Sequence, residues 1–190
     1  MSENKPVRRR RRADADRSRT AILAAAVALL DEQPDASLER IAEAANVTRQ
    51  TVYAHFSSRD ALLNAVLDQL TAETLTAIDA LNLDEGPALS NVLRLIDLAW
   101  RAFERHPLLL HLPQTGAQDE RHDPVTDRFE RLIRRGQHTG EITRDLPAQW
   151  LVTTLIALGH AAGESVAAGR VSPRTANKTL HTTITRVLQP

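Results

Sequence analysis

The stretch SLERIAEAANVTRQTVYAHF, residues 37–56, contains two short helical patterns separated by a turn. Ser37 is a favourable N-cap for the first pattern and Thr48 for the second, because a hydroxyl oxygen can accept from the free amides at a helix start. Asn46 lies between them, and asparagine adopts the left-handed turn conformation more readily than most residues. The stretch therefore predicts two short helices joined by a tight turn.

Apolar spacing indicates which faces of these two helices meet. Five residues are expected to face inward: Ile41, Ala42, Ala45, Val47 and Val52. Ala42 is small where the second helix approaches, so the two helices can cross closely. This is the helix-turn-helix pattern, whose second helix can enter the major groove of DNA.

The outer face of the second helix carries side chains that suit contacts with DNA. Arg49 can form a bidentate pair with guanine and Gln50 with adenine, so we expect both to read bases. Four more residues have the length to reach phosphate oxygens, which set register rather than sequence: Thr48, Thr51, Tyr53 and His55. Arg59, at the start of the next helix, adds a cation beside helix amides that attract anions. A purely structural interpretation stays open, because polar outer faces and hydroxyl caps occur in many all-α proteins.

The remainder of the chain also has helical spacing, which predicts an all-α fold of about nine helices. We expect a disordered basic arm over residues 1–17, a three-helix DNA-binding domain over 18–65, and a larger helical ligand-binding and dimerisation domain over 66–190. The last helix is ambiguous, since TTITRV is rich in β-branched residues that favour strands. The recurrence of Ala176, Leu180, Ile184 and Val187 favours a helix.

Composition excludes several classes of protein. Apolar residues make up 42% of the chain and aromatic residues 3%, so the core must be largely aliphatic. The chain has no cysteine, which excludes disulfides and fits a cytoplasmic protein, and no apolar run is long enough for a membrane span. Phosphate-binding loops, nucleophile elbows and zinc-binding helix motifs are absent. We therefore expect no enzyme activity, no cofactor and no metal, although a helical-bundle enzyme stays as a minor alternative.

The basic arm is the strongest charge feature of the sequence. Lys5 and Arg8 to Arg12 place six positive charges together without an acid among them, whereas the whole chain has a net charge of zero. Such runs commonly bind polyanions or keep a protein soluble. A basic arm can enter a minor groove. A sequence-tolerant architectural DNA-binding protein would also explain the arm and the helix pair, but not the long apolar domain behind them.

Residues 37–70, SLERIAEAANVTRQTVYAHFSSRDALLNAVLDQL, resemble the DNA-binding segment of the tetracycline-repressor (TetR) family of transcriptional regulators. The similar features are Ile41–Ala42, Val47–Thr48–Arg49, Thr51–Val52–Tyr53, His55–Phe56 and the run from Arg59 to Leu62. Two departures are Asn46, where the family usually has glycine, and the five-arginine arm, which many members lack.

The resemblance implies a homodimer that represses transcription and releases a palindromic double-stranded DNA operator when a small-molecule effector binds. By position, it also implies that seven residues contact DNA: Thr48, Arg49, Gln50, Thr51, Tyr53, His55 and Arg59. The family pattern favours dimerisation through the last two helices. There, one stripe is formed by Trp150, Leu151, Leu155, Leu158 and Val166. The alternative is that this helix forms the centre of the monomer core.

The middle helices are expected to enclose the effector. Pockets are mostly apolar with a few polar groups. On this basis the candidate ligand-binding residues are Trp100, Phe103, His106, Phe129, Trp150 and His160. For each of them an ordinary core or surface role is the alternative.

Overall fold

The computed structural model describes the backbone of residues 5–111 and 123–190 and the side chains of residues 13–109 and 124–190. This part of the chain forms helices only, in agreement with the all-α class expected from the sequence. The helices are α1 (Lys5–Glu32), α2 (Leu38–Ala44), α3 (Arg49–His55), α4 (Arg59–Asp79), α5 (Ala88–Arg105), α6 (Leu108–His111), α7 (Asp123–Thr139), α8 (Ala148–Ala167) and α9 (Pro173–Leu188). None of these helices is long and apolar enough to cross a bilayer, as far as the described residues extend.

Two compact units divide the chain, Met1–Leu70 and Thr71–Pro190. The division falls within α4, five residues beyond the boundary expected from the sequence. The first unit contains α1, α2, α3 and the beginning of α4, and the second contains the end of α4 and the remaining helices.

The core of the first unit is formed where α1, α2 and α3 pack against one another. Apolar residues recur along α1 at helical spacing, and Ile22, Ala26 and Leu30 are buried there. Ile41 of α2 and Val52 of α3 are each 0% exposed. Helices α2 and α3 have only seven residues each, so their stability comes from this shared apolar face rather than from helix propensity.

The basic arm differs from expectation. Backbone residues 5–17 lie in α1 and not in a disordered segment, while residues 1–4 are outside the described part of the chain. Extending an existing helix is far easier than starting one, and arginine and alanine are both good helix formers. Asp14 and Arg17 also form an ion pair three residues apart, on neighbouring positions of the helix surface.

The second unit has its own apolar core, formed by α5, α7, α8, α9 and the end of α4. Its buried side chains include Ile78, Val92, Leu95, Ile96, Trp100, Phe129, Leu132, Ile133, Ile142, Leu151, Leu155, Leu180, Ile184 and Leu188. The last segment is helical despite its β-branched residues, because Ala176, Leu180 and Ile184 are buried in this core. Leu188, rather than the expected Val187, completes the buried stripe of α9.

The connection between α4 and α5 is held by polar side chains. Asn91 is 2% exposed, and its amide nitrogen donates to the carbonyls of Leu83 at 2.9 Å and Glu85 at 2.7 Å. Arg135 of α7 donates to the same connection, including the Leu83 carbonyl at 2.8 Å. Buried polar groups are costly unless paired, and here each bond satisfies a loop carbonyl that has no helical partner.

A close approach occurs where α7 meets the chain that follows it. A Cβ placed on Gly136 would lie 2.5 Å from Cδ1 and 2.6 Å from Cγ1 of Ile142, which is 1% exposed. It would also lie 3.1 Å from Cβ of Ala88 in α5. The packing of α5 and Ile142 against α7 therefore depends on the missing side chain at this position.

Candidate nucleic-acid interface

Helix α2 begins at a side-chain cap and ends in a defined turn. The Ser37 hydroxyl accepts from the backbone amide of Arg40 at 3.4 Å, as the sequence pattern predicts for an N-cap. Leu38, Ile41 and Ala42 are buried, so one face of α2 is fixed against the core of the first unit. The opposite face is left for polar residues.

The turn after α2 is a Schellman motif centred on Asn46. Asn46 has a φ of 53°, in the left-handed region that glycine and asparagine adopt most readily. Its amide donates to the Glu43 carbonyl at 3.0 Å, and the Val47 amide donates to the Ala42 carbonyl at 2.9 Å. These two bonds satisfy carbonyls at the end of α2 and turn the chain sharply into α3.

Helix α3 is capped by Thr48 and anchored by its apolar side. The Thr48 hydroxyl accepts from the Thr51 amide at 3.1 Å, and the two threonine hydroxyls lie 2.8 Å apart. Val52 and Phe56 are buried, and the guanidinium of Arg19 in α1 lies 5.2 Å from the centre of the Phe56 ring. A cation over a ring face is attracted to it. Both ends of α3 are therefore held in place.

The exposed side of α3 carries most of the residues that the sequence predicts to contact DNA. Thr48, Arg49, Gln50 and Tyr53 are exposed, and Thr51 and His55 are half-buried. Tyr53 is 42% exposed although it is a large aromatic residue. This face thus presents hydroxyl, amide and guanidinium groups to solvent from a helix whose opposite side is buried.

Arg59 does not join this exposed face. Its Nη2 atom donates to the Pro34 carbonyl at 2.7 Å, and its Nη1 atom is buried. The side chain therefore ties the beginning of α4 to the connection between α1 and α2. Sequence spacing placed Arg59 at a helix start but contained no information about the direction in which the side chain turns.

Arg49 is held by two neighbours on the same face. Its Nη1 atom lies 2.8 Å from the Glu39 carboxylate, and its Nη2 atom donates to the Tyr53 hydroxyl at 3.3 Å. The guanidinium carbon lies 5.3 Å from the centre of the Tyr53 ring. The hydrogen bond to Tyr53, followed by the charge of Glu39, raises the pKa of Arg49 above its ordinary value.

Glu39 also belongs to this face, although the sequence did not predict it there. It lies in the first turn of α2, where a carboxylate interacts favourably with the positive end of the helix. Its own backbone amide, the Ser37 hydroxyl and the charge of Arg49 lower the pKa of Glu39, so the carboxylate is charged at neutral pH. No local pattern joins residues 39 and 49, because the contact crosses from one helix to the next.

The residues expected to bind an effector differ in their burial. Trp100 and Phe129 are buried in the core of the second unit, and the Trp100 indole nitrogen donates to Glu104 at 2.8 Å. Trp150 is 62% exposed. The remaining three are half-buried: Phe103, His106 and His160. Side-chain size and polarity predicted a pocket, but they do not determine how far packing between helices buries each of these residues.

A cleft of about 290 Å³ lies elsewhere in the second unit. Its lining residues are Ile78, Asp79, Asn82, Leu83, Asp84, Arg128, Arg131, Leu132 and Arg135, none of which was expected to bind an effector. Two of its arginines are engaged, Arg128 with Asp79 at 2.5 Å and Arg135 with loop carbonyls. Groups of three or more acidic or histidine side chains able to hold a metal do not occur in the described part of the chain.

Comparison with known proteins agrees with this arrangement. Residues 22–66 match the pattern of bacterial regulatory proteins of the tetR family. YvdT, an uncharacterized HTH-type transcriptional regulator of Bacillus subtilis, is 26% identical over 147 residues, covering 72% of this chain and 76% of YvdT.

Two solved structures share the fold. One is a TetR-family transcriptional regulator from Rhodococcus sp., with a TM-score of 0.73 and 22% identity over 90% of this chain and 98% of that one. The other is the TetR-like regulator LfrR of Mycobacterium smegmatis in complex with proflavine, with a TM-score of 0.65 and 24% identity over 92% and 98% of the two chains.

The fold and the exposed face of α3 define a helix-turn-helix, DNA-binding regulator. The helix-turn-helix segment is that of the TetR family of transcriptional regulators, as the resemblance in residues 37–70 predicted. Members of this family regulate transcription and are not enzymes.

Proposed function

We propose that the protein is a ligand-responsive repressor that binds a palindromic operator as a homodimer and leaves it when a small molecule binds. The observation that carries this proposal is the exposed polar face of α3, held in place by Thr48, Val52 and Phe56. A helix presented in this way fits the major groove, where each base pair displays a distinct set of donors and acceptors. Because its target is DNA, the protein acts in the bacterial cytoplasm.

Arg49 and Gln50 are proposed to read bases, because both are exposed in the first turn of α3. Residues near the beginning of a recognition helix reach base edges in helix-turn-helix proteins. Four other residues are proposed to contact phosphates and thereby set the register: Thr48, Thr51, Tyr53 and His55. We assign Arg59 a different role, which is to position the beginning of α4 through its bond to Pro34.

Dimerisation is proposed to use the exposed face of α8 together with α9. Leu151 and Leu155 are 0% exposed and belong to the monomer core, which removes them from the stripe expected to meet a partner. Trp150, Thr154, Ala157, Leu158 and Ala161 recur at helical spacing on the other side of α8, which is exposed or half-buried. An exposed tryptophan beside small uncharged residues favours close packing against a second copy.

The effector is proposed to bind within the second unit. LfrR, whose fold is similar, was solved in complex with proflavine. A ligand releases DNA only when it binds more tightly to a conformation that does not fit the operator. The lining of the cleft beside Arg128 and Arg135 is polar and also includes Arg131, so a ligand with acceptor groups can bind there.

Selection of bound sites from random duplex DNA tests the proposal. A dimeric repressor should recover a palindrome with half-site centres about 34–36 Å apart or at a multiple of that distance, and bind it about 10³-fold or more tightly than bulk DNA. Similar affinity for most sequences would favour the architectural alternative instead. Sedimentation of the free protein provides the independent measurement of its oligomeric state.

A further inference from the structure

The proposed base reader Arg49 already has an acidic partner in the free protein. Its Nη1 atom lies 2.8 Å from the Glu39 carboxylate, which projects from the first turn of α2. Both side chains stay largely in solvent, with 60% of Arg49 and 46% of Glu39 exposed. The pair therefore lies on the same surface as the side chains proposed to contact DNA.

This pairing offsets the positive field around Arg49 more than it reduces the hydrogen-bonding capacity of the guanidinium. A guanidinium carries five N–H donors, and the contacts with Glu39 and Tyr53 each use one. Three donors remain for the two acceptors that a guanine edge presents in the major groove. The nearby carboxylate, in contrast, offsets the positive charge that would attract Arg49 to any phosphate.

These two effects act differently on specific and non-specific DNA. Non-specific binding depends on the number of phosphates that positive side chains neutralise, and it is independent of sequence. Specific binding adds directed hydrogen bonds to base edges. An arginine whose charge is offset by a neighbouring carboxylate, and which keeps free donors, loses much of the phosphate contribution and retains the base contribution.

We propose that Glu39 is a specificity-determining positioning residue, which suppresses phosphate binding by Arg49 while leaving its donors available to a guanine. This inference rests on the proposed function, in which Arg49 reads a base. It gives α2 a part in sequence discrimination. Glu39 provides this through Arg49 and does not need to contact DNA directly.

The test compares Glu39→Gln with Glu43→Gln in the full-length protein. Glu43 is exposed on the same helix and lies outside the pair with Arg49, so its substitution removes the same charge and measures the general electrostatic effect. Affinity is measured for the selected site and for a scrambled duplex over a range of salt concentrations. The variants are also measured in an Arg49→Ala background, which forms a double-mutant cycle.

Glu39→Gln should strengthen binding to the scrambled duplex by about two- to fivefold more than Glu43→Gln does, the range expected for losing one exposed ion pair. Binding to the selected site should change equally in the two variants, so the specificity ratio falls by about two- to fivefold only in Glu39→Gln. The salt slope of binding to the scrambled duplex should become steeper by about 0.9 for each protomer in contact with DNA, since its Arg49 then neutralises one more phosphate. In the Arg49→Ala background the two substitutions should change the affinity for each duplex by the same factor.

Equal specificity ratios for Glu39→Gln and Glu43→Gln would overturn the inference. A weaker affinity of Glu39→Gln for the selected site, with binding to the scrambled duplex unchanged, would also overturn it. A change in folded population alters both affinities by the same factor, and therefore leaves the ratio unchanged. If the wild-type protein has no sequence preference, the proposed function itself fails. If the wild type is selective but Glu39→Gln and Glu43→Gln have equal specificity ratios, only the role of Glu39 is rejected.

Discussion

The Val47 amide donates to the Ala42 carbonyl at 2.9 Å, and this bond closes the turn that separates α2 from α3. It can form only because Asn46, between them, has the left-handed φ of 53°. The angle at which α3 leaves α2, and hence the face that α3 presents, depends on this one residue.

Replacement of Asn46 tests whether the left-handed turn supports the first unit. Asn46→Ala should lower the free energy of unfolding by about 1–2 kcal/mol, because a Cβ without a polar group is unfavourable in this conformation. Asn46→Gly is the matched control and should remain within about 0.5 kcal/mol of wild type, since glycine adopts the turn without steric cost. Urea denaturation followed by circular dichroism measures the free energy of unfolding of both variants. Equal stability of the two would contradict a left-handed conformation of residue 46 in solution.

Arg49→Ala tests the assignment of the base reader. It should weaken binding to the selected operator by about 1–3 kcal/mol and relax the preference at one base position in each half-site. Arg40→Ala removes the same charge from α2, where Arg40 donates to Gln33 at 2.6 Å. This control should weaken binding to all DNA sequences by the same factor. The two variants are compared by repeating the site selection, and an unchanged preference in Arg49→Ala would mean that another residue reads that base.

Tyr53→Phe tests the assignment of a phosphate contact. The ring beside Arg49 is retained and only the hydroxyl is lost. Binding should weaken by about 0.5–1.5 kcal/mol, the usual net value of one hydrogen bond, and by the same amount for every sequence. Fluorescence anisotropy with selected and scrambled duplexes measures this, and a loss confined to the selected duplex would show that Tyr53 instead contributes to base recognition.

The close approach at Gly136 predicts a packing defect that a second substitution relieves. Gly136→Ala should destabilise the second unit by about 1–3 kcal/mol, because its Cβ would overlap buried atoms of Ile142. Ile142→Val alone should cost about 0.5–1.5 kcal/mol, since it shortens a core side chain. In the double variant the removal of Cδ1 should recover part of the loss, so thermal denaturation should give a combined cost below the sum of the two. Strict additivity would contradict the described contact.

The exposed face of α8 predicts where a charge would disrupt the proposed dimer. Ala157→Glu should weaken self-association at least about tenfold, because a carboxylate at the centre of an apolar contact loses its hydration. Ala77→Glu, which places the same charge on an exposed position of α4, serves as the control and should leave association unchanged. Analytical ultracentrifugation at several protein concentrations distinguishes the two, and an unaffected Ala157→Glu dimer would exclude α8 from the interface.

The sequence alone determined the features that depend on neighbours along the chain. Hydroxyl caps at Ser37 and Thr48, the turn residue Asn46 and apolar spacing are local signals, and they predicted the helix-turn-helix and the all-α class. Only the tertiary structure decided the direction of Arg59, the pairing of Glu39 with Arg49 and the different burial of Trp100 and Trp150. Local periodicity specifies which face of a helix is apolar. Contacts between residues on different helices depend on how those helices cross, which no single segment of the chain encodes.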